Sequence, residues 1–562
     1  MDTREILTRF KSGTLARDQA AALLTGFPVD APASDAAAPG PDPTPEVPQA
    51  PAPATGPESR GVRGPAAGRY AITAVHGRFP YADGLDAFWR TAVGGTGNGR
   101  RIEGADEFDA EFFGLEPAAA ALLDPQERLL LETVWQTLEH AGHTGARLDA
   151  LTAADGEPRA VGVYVAHGPT AYAACRGALP GRLSALLDLR GPSQCVDSGA
   201  SSFLGALHLA LGALRDGECA AALVAAVDLR QRDADAADCV GAVLVRPLEA
   251  ARAAGDSVHA VIRASAVAHA GRAAPADADA RLARRAQRAA GLDALDISLC
   301  ESSASAGDAG AATGFTVLVR AVLQLTHGTL LPLPDGPDTT PWPRPRDLQG
   351  RELPRRASVT VRGECGTAAH LILEEHLAGR TGPRDSDERT GPASCPAELV
   401  LLSAPTPHHL AATARLLAER LSGDADAPVD TPQLGVLARE LRIGRATMDC
   451  RLAVIAHRGD ELADALRKFA DDPAEHLGHA DLRQRGGAPL VEELDETAAY
   501  LTALWHGRHL DALARLWLAG VDVTRGDVPG ADGARPRPAL PGTAMLRRPL
   551  APGTAATGGP GR

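Results

Sequence analysis

The stretch QCVDSGASSFLGALHLA, Gln194–Ala210, decides how the rest of the chain reads. It runs from a short apolar segment through a turn of small residues, Ser198-Gly199-Ala200-Ser201-Ser202, into an apolar helix. A strand, a tight turn and a helix N-terminus form a layout that presents a nucleophile, because the helix dipole and free N–H groups there favour a thiolate or an oxyanion. The apex of this turn is Ala200, which can attack nothing. Around it lie AVGVYVA (160–166), AAALVAAVDL (220–229), GAVLVRPL (241–248) and HAVIRASAVAHA (259–270). Runs that are apolar along their whole length predict strands covered on both faces. With RYAITAV (69–75) as a further strand and DPQERLLLETVWQTLEHAG (124–142) as a long helix ending at Gly142, residues 70–377 predict a layered α/β domain.

Composition bounds the function classes. The 562 residues exceed one core and predict roughly three or four domains. Aromatic residues make up 4% of the chain, so the cores must rest on Ala, Leu and Val. Net charge is −14, and only Lys11 and Lys468 supplement the arginines. That balance argues against nucleic-acid binding, which needs a basic surface. No apolar run reaches the ~18 residues of a membrane span. The opening MDTREILTRFKSG lacks the apolar core of a signal peptide. The eight cysteines are spread singly, without CxxC or Cys/His spacing, which predicts reduced thiols in a cytoplasm and no metal site.

The organisation along the chain follows from composition and period. Residues 1–27 read as a pair of short helices, either folded back on the chain or docking another polypeptide. Residues 28–69 form a Pro/Ala-rich linker expected to be extended and disordered, and 378–396 a second, polar linker. A smaller α/β domain occupies 397–545, opening with the strand AELVLLSA and the helix HHLAATARLLAERLSG. Residues 546–562 are expected to be a disordered tail.

Several stretches carry a family resemblance. AITAVHGRFPYADGLDAFWR, EFDAEFFGLEPAAAALLDPQERLLLETVWQTLEHAG, GRLSALLDLRGPSQCVDSGASS, GECAAALVAAVDL and GTAAHLILEEH follow one another as in the β-ketoacyl synthase (ketosynthase) domain of modular polyketide synthases, which residues 70–377 resemble. The resemblance implies a thiolase-like fold of five αβαβα layers, a dimer, and a phosphopantetheine-bearing acyl carrier protein as partner. LVLLSAPTPHHLAATARLLAERL and LARLWLAGVDV resemble the linker domain that follows ketosynthases in trans-acyltransferase assembly lines. That linker ends in an LPTYPF-like tail docked on the ketosynthase. Here the tail reads LPGTAMLRRPL, without the aromatic anchor.

Set against the family's motifs, the chemistry is missing. Alignment of VDTACSS on VDSGASS puts the family's nucleophilic Cys at Ala200. The first catalytic His, of VEAHGTGT, falls on Ser303 in LCESSASAGD, where Glu301 is kept. The KSNIGH motif with the second His is absent, since DAGAATGF leads straight into TVLVRAVLQL. In the last loop, RGECGTAAH, Gly363, Gly366 and His370 match, while Arg362 and Glu364 replace apolar residues. Residues 90–107 and the segment after AAVDL are short against the family, and both regions normally help to wall the acyl tunnel. His208 and His327 fall on structural positions, and Cys195 reads as a buried apolar thiol.

The resemblance therefore implies a catalytically inactive ketosynthase-like protein of polyketide biosynthesis. It would be a structural partner of an active ketosynthase or other synthase subunits, as homodimer or heterodimer, or a carrier-protein scaffold. No cofactor is expected beyond contact with a carrier's phosphopantetheine arm. The alternative is an altered acyl-processing enzyme, performing acyl transfer, hydrolysis or cyclisation. Its residual pocket would draw on Ser198, Ser201, Ser202, Glu301, Ser303 and His370.

Overall fold

The computed structural model describes residues 68–94, 100–169, 179–229, 237–271, 277–332, 339–377, 396–422, 431–473, 478–483, 495–525 and 540–550. The helix pair expected in 1–27 lies outside them, as do all but the ends of the linkers 28–69 and 378–396.

The ketosynthase-like region is built from β1 (Tyr70–Phe79), α1 (Pro125–His140), β2 (Val161–His167), α2 (Leu179–Leu187), β3 (Ser193–Val196), α3 (Ser202–Asp216), β4 (Ala221–Asp228), β5 (Cys239–Pro247), β6 (Ala260–His269), α4 (Ala278–Ala290), β7 (Leu299–Ser302), α5 (Thr313–His327), β8 (Arg356–Arg362) and β9 (Thr367–Glu374). The strands run in the order β3-β2-β4-β5-β1-β6-β9-β8-β7. They fall into two halves that meet where Tyr70, Ala71 and Ile72 of β1 pair antiparallel with Ile262, Val261 and Ala260 of β6. The apolar helices α3 and α5 fill the space between the halves. Phe203 and Leu207 of α3 and Phe315 and Leu318 of α5 share one core with Val224 and Val243 of the first half and Val359 and Leu371 of the second. Leu130 and Val134 of α1 and Leu183 of α2 cover the outer face of the first half, against Val163, Leu223 and Leu244. Leu282 and Ala286 of α4 cover Ala264, Ala266 and Ile372 on the outer face of the second. These are the five αβαβα layers of a thiolase-like fold.

The halves are unequal. In the first, the chain passes from β2 through α2 and the edge strand β3 before the Gly199–Ser201 turn starts α3. In the second, it leaves β7 through one helical turn, Ser303–Ala306, and a turn at Gly310–Ala312, and enters α5 directly. A strand equivalent to β3 is absent among the described residues, and β7 is left at the edge.

The smaller domain is an antiparallel sheet of β10 (Glu398–Ala404), β11 (Cys450–Ala456) and β12 (His479–Asp481). Alternation along β10 sends Val400 and Leu402 to α6 (Pro407–Ser422), α7 (Thr431–Ile443) and α8 (Gly459–Asp471). Leu399 and Leu401 face α9 (Asp495–His506) and α10 (Leu510–Leu518), where Trp505 and Trp517 lie.

Residues 546–550, within the expected tail, are placed on the fold together with 540–545. As far as 550 they dock on the ketosynthase-like region without an aromatic anchor. Thr543 donates its N–H (2.8 Å) and hydroxyl (2.6 Å) to the Glu139 carboxylate. Arg547 donates to Glu132 (2.6 Å) and Asp83 (3.0 Å). Arg548 and Pro549 pair with Phe108 and Glu107. Backbone pairing and the ion pairs of Arg547, of which the one to Glu132 is buried, hold these residues; residues 551–562 lie outside the description. The buried Asp109 carboxylate completes the junction. It accepts from Phe112 N (3.0 Å), from His409 Nε2 of α6 (2.7 Å) and from Leu546 N. One side chain thus holds the first domain, the second and the strap together.

Two measurements probe this frame. Asp109→Ala orphans three buried donors at once and should cost about 2–4 kcal/mol. Urea unfolding should show the loss, and limited proteolysis should cut residues 540–550 faster. The second measurement concerns pH. Burial lowers His76 of β1 to about 4 and His140 of α1 to about 3; their rings meet edge-to-face at 5.1 Å. Both are neutral in the fold and gain protons on unfolding below their ordinary value of 6.5. The unfolded chain therefore binds more protons between 6.5 and about 4, so stability present above 6.5 is lost as the pH falls through that window. The thermal midpoint should drop from pH 7 to pH 5, and His140→Gln should flatten the slope.

Candidate functional site

Ala200 stands where the sequence places it, in a single turn (Gly199–Ser201) that leads into α3. The serines around it are spent on holding the turn. Ser201 Oγ donates to Ser198 O (2.9 Å). Ser202 Oγ donates to Gly199 O (2.7 Å) and accepts from Ser198 N (2.7 Å). Ser201 and Ser202 are fully buried. The loop between β8 and β9 closes over this turn. A Cβ on Gly363 would overlap the Ser198 carbonyl oxygen, so only glycine permits the approach.

A cavity of about 200 Å³ opens at Ala200. Its wall holds His167, Asp197, Gly199, Ala200, Asp228, Asp308, Gly310 and Glu364. Asp228, at the end of β4, accepts from Ala311 N (2.9 Å). Asp308 accepts from Gly310 N (2.8 Å) and from Thr313 Oγ1 (3.2 Å). His167 Nδ1 donates to Gly168 O (2.8 Å). Among the described residues the wall carries four carboxylates and no side-chain hydroxyl or thiol. Among the described residues, no three His, Cys, Asp or Glu are arranged to hold a metal ion.

Of the residues proposed for a residual pocket, none lines this cavity. Ser198, Ser201 and Ser202 belong to the turn. Glu301 is buried in the second half and is spoken for: it accepts from Arg320 Nε (3.2 Å), Gln324 Nε2 (2.6 Å) and the Ser305 hydroxyl. Ser303 opens the helical turn after β7, half-buried, and its carbonyl accepts from Gly307 N (3.0 Å). His370 lies on the far face of its sheet. It shares a side of β9 with Ala368 and Ile372, which pack under α4, whereas Ala369 and Leu371 face the central helices. Its Nδ1 meets Thr360 Oγ1 at 2.7 Å, and burial lowers it to about 4, so it is neutral at pH 7.

The structural reading of two other histidines fits their surroundings. His208 Nδ1 meets Ser265 Oγ at 2.7 Å. The His327 ring stacks on Trp89 at 4.2 Å. Cys195 requires a correction: it is exposed, because β3 is an edge strand. Four wall residues, His167, Asp197, Asp228 and Asp308, carried no sequence signal of a site, since the tertiary fold brings them together from four separate segments. Glu364 had one, as a charge replacing an apolar loop residue. Its neighbour Cys365 is exposed, with Sγ 3.5 Å from Ser198 O, and hydrogen bonds from Thr367 hold its thiol below the ordinary value.

Comparison with known proteins places this geometry. Residues 92–268 match the family model for the β-ketoacyl synthase N-terminal domain, and residues 401–473 that for the RhiE-like KS-MAT linker domain. Polyketide synthase ThaG of Burkholderia thailandensis is 33% identical over 432 residues, covering 56% of this chain and 8% of that protein. Polyketide synthase PksM of Bacillus subtilis is 27% identical over 596 residues, covering 82% of this chain and 14% of that protein. The chain thus spans a small part of the length of these relatives. Among solved structures, the oxazolomycin ketosynthase domain of Streptomyces albus is 26% identical with a TM-score of 0.68, covering 86% of this chain and 98% of that one. The ketosynthase from module 6 of the bacillaene synthase of Bacillus subtilis shares the fold with a TM-score of 0.71 at 23% identity, covering 86% of this chain and 100% of that one. The chain carries a ketosynthase domain of the β-ketoacyl synthase family found in polyketide synthases, followed by a KS-MAT linker domain.

Proposed function

We infer that the protein is a ketosynthase-like structural partner in a polyketide assembly line, most simply one whose acyltransferases act in trans, and that it does not itself condense acyl chains. One observation carries the reading. The cavity at the helix terminus has Ala200 where a thiolate would take the acyl group, and four carboxylates around it. Condensation needs a nucleophile, and none of the described residues lining this cavity supplies one. Decarboxylation of a malonyl group needs positioned donors for its carboxylate, and a wall of like charge repels that anion instead.

The interaction surfaces support a partner role. The edge strand β3 exposes Ser193, Gln194 and Cys195, and the neighbouring helices α2 and α3 expose Leu186 and Leu209. An open strand edge flanked by apolar side chains suits pairing with a second ketosynthase-like subunit, the same chain or an active one. A carrier protein is the second partner, with contact through its phosphopantetheine arm and no bound cofactor. A cytoplasmic setting agrees with the six free cysteines among the described residues and with helices none of which is long and apolar enough to cross a membrane.

A second reading, an altered acyl-processing enzyme, has one observation in its favour. Cys365 offers an exposed thiol of lowered pKa on the loop that closes over the Ala200 turn.

Intact-mass measurement after incubation with acyl- and malonyl-loaded carrier proteins separates the two. The structural reading expects no adduct, no malonyl consumption, and a stable complex in native mass spectra. An acyl adduct on Cys365 would establish the second reading instead. A further variant tests the cavity itself. Ala200→Cys places a thiol at a helix N-terminus and should yield an acyl adduct, yet no condensation product, because among the described residues no His pair lines the cavity.

A further inference from the structure

The outer face of α4 is a stripe of one residue type. Arg281, Arg284, Arg285 and Arg288 stand at i, i+3, i+4 and i+7, which places them together on one side of the helix. Leu282 and Ala286 are buried on the opposite side. A solvated helix face in a chain of net charge −14 would be expected to mix signs. This one carries no acid among its four guanidinium groups. Arg281 and Arg284 reach Asp277 at 3.5 and 3.9 Å, at the start of the helix. Arg285 and Arg288 have no ion-pair partner among the described residues.

At the N-terminal end of the stripe lies a cleft of about 180 Å³, with Arg281, Arg285 and Arg362 in its wall, and Asp279, paired with Arg362, as its acid. His269 does not compete for a ligand there. Its Nδ1 accepts from Gly271 N (2.9 Å) and its Nε2 donates to Cys365 O (2.8 Å). The loop that supplies Arg362 to this cleft supplies Glu364 to the cavity at Ala200. One short loop therefore separates a cationic cleft from an anionic one.

We propose that the arginine stripe of α4 is the docking surface for the acidic face of a carrier protein, and that the cleft lined by Arg281, Arg285 and Arg362 receives the phosphate of its arm. The assignment rests on the carrier-protein reading above and gives that reading a place on the molecule. Charge complementarity selects the occupant: a second copy of this chain is also acidic, but it would bring no phosphate to the cleft. Guanidinium groups suit the task because they match phosphate and carboxylate oxygens in pairs. Opposed stripes of charge also steer encounter, and their effect fades with salt.

The test measures affinity of the full chain for an acyl carrier protein of a polyketide synthase, in its apo and phosphopantetheinylated forms, at low and high salt. The variant is the double reversal Arg285→Glu/Arg288→Glu, both exposed and outside the core, with the thermal midpoint as folding control. The proposal expects the variant to keep its midpoint and to bind at least about tenfold more weakly at low salt. It also expects the wild type to lose affinity steeply with salt and to prefer the phosphopantetheinylated form. Unchanged affinity in the variant overturns the stripe and leaves the carrier-protein reading standing. Equal binding of the apo form overturns the role of the cleft. Failure of both forms to bind the wild type at low salt overturns the proposal together with the reading beneath it.

Discussion

The two halves of the ketosynthase-like region are locked by a ring set into a slot. Gly77 of β1 and Gly241 of β5 are register partners across the strand pair. The Phe315 ring of α5 lies over both. A Cβ on Gly241 would overlap that ring, and one on Gly77 would come within 2.7 Å of it. Phe315 is fully buried, stacks with Phe79 at 6.0 Å and meets Phe203 of α3 edge-on at 5.5 Å. A helix of the second half is thereby seated in the sheet of the first. Interiors this dense tolerate little change in volume. The position of α3, and of the Ala200 turn at its start, follows from that fit.

Much of this was legible in the chain. Runs such as AALVAAVD and CVGAVLVR are apolar throughout because both their faces are covered, and they read as buried strands without ambiguity. The turn at Ala200 could be placed because its small residues and the following apolar helix have local causes. The cavity wall could not. Asp197, Asp228, Asp308 and Glu364 lie far apart in sequence and meet only after both halves have folded. His370 looked like a site residue because its motif was kept, but the period of two in β9 points it to the outer layer. Cys195 misled for a related reason. An apolar residue in a short strand reads as buried, and only the strand order shows that β3 is an edge. The strap at 540–550 was hidden by composition, since its hold on the fold comes from backbone groups and Arg547 rather than from apolar side chains.

The strap shows where the structure has been maintained. It carries no aromatic residue, yet Glu132, Glu139 and Asp109 each accept from donors of the strap or of α6. Glu132 is fully buried, and desolvation raises its pKa against the pull of Arg547 and Arg78. Buried carboxylates of this kind are tolerated only when paired, because removing one partner strands a charge in a poor solvent. The junction between the domains is thus specified in detail by polar contacts. The Ala200 cavity offers the opposite case, where the wall groups bond to nearby backbone and nothing orients a reacting atom. The structural role proposed for this protein would need the first kind of order and not the second.

The unequal halves carry this further. In the first half, the unit α2-β3 intervenes between β2 and the turn, and it sets the depth at which α3 begins. In the second half, the corresponding unit is missing among the described residues, and the chain covers the interval from β7 to α5 in two short turns. Among the described residues, the second half thus has no such unit to deliver a side chain towards Ala200. Glu301, just before this interval, turns inward, where it is paired with Arg320 and accepts a hydrogen bond from Gln324 of α5. Changing single residues at Ala200 or Ser303 would alter the chemistry of the turn but would not supply such a unit, so the inactivity proposed for this protein rests on its backbone as much as on its side chains.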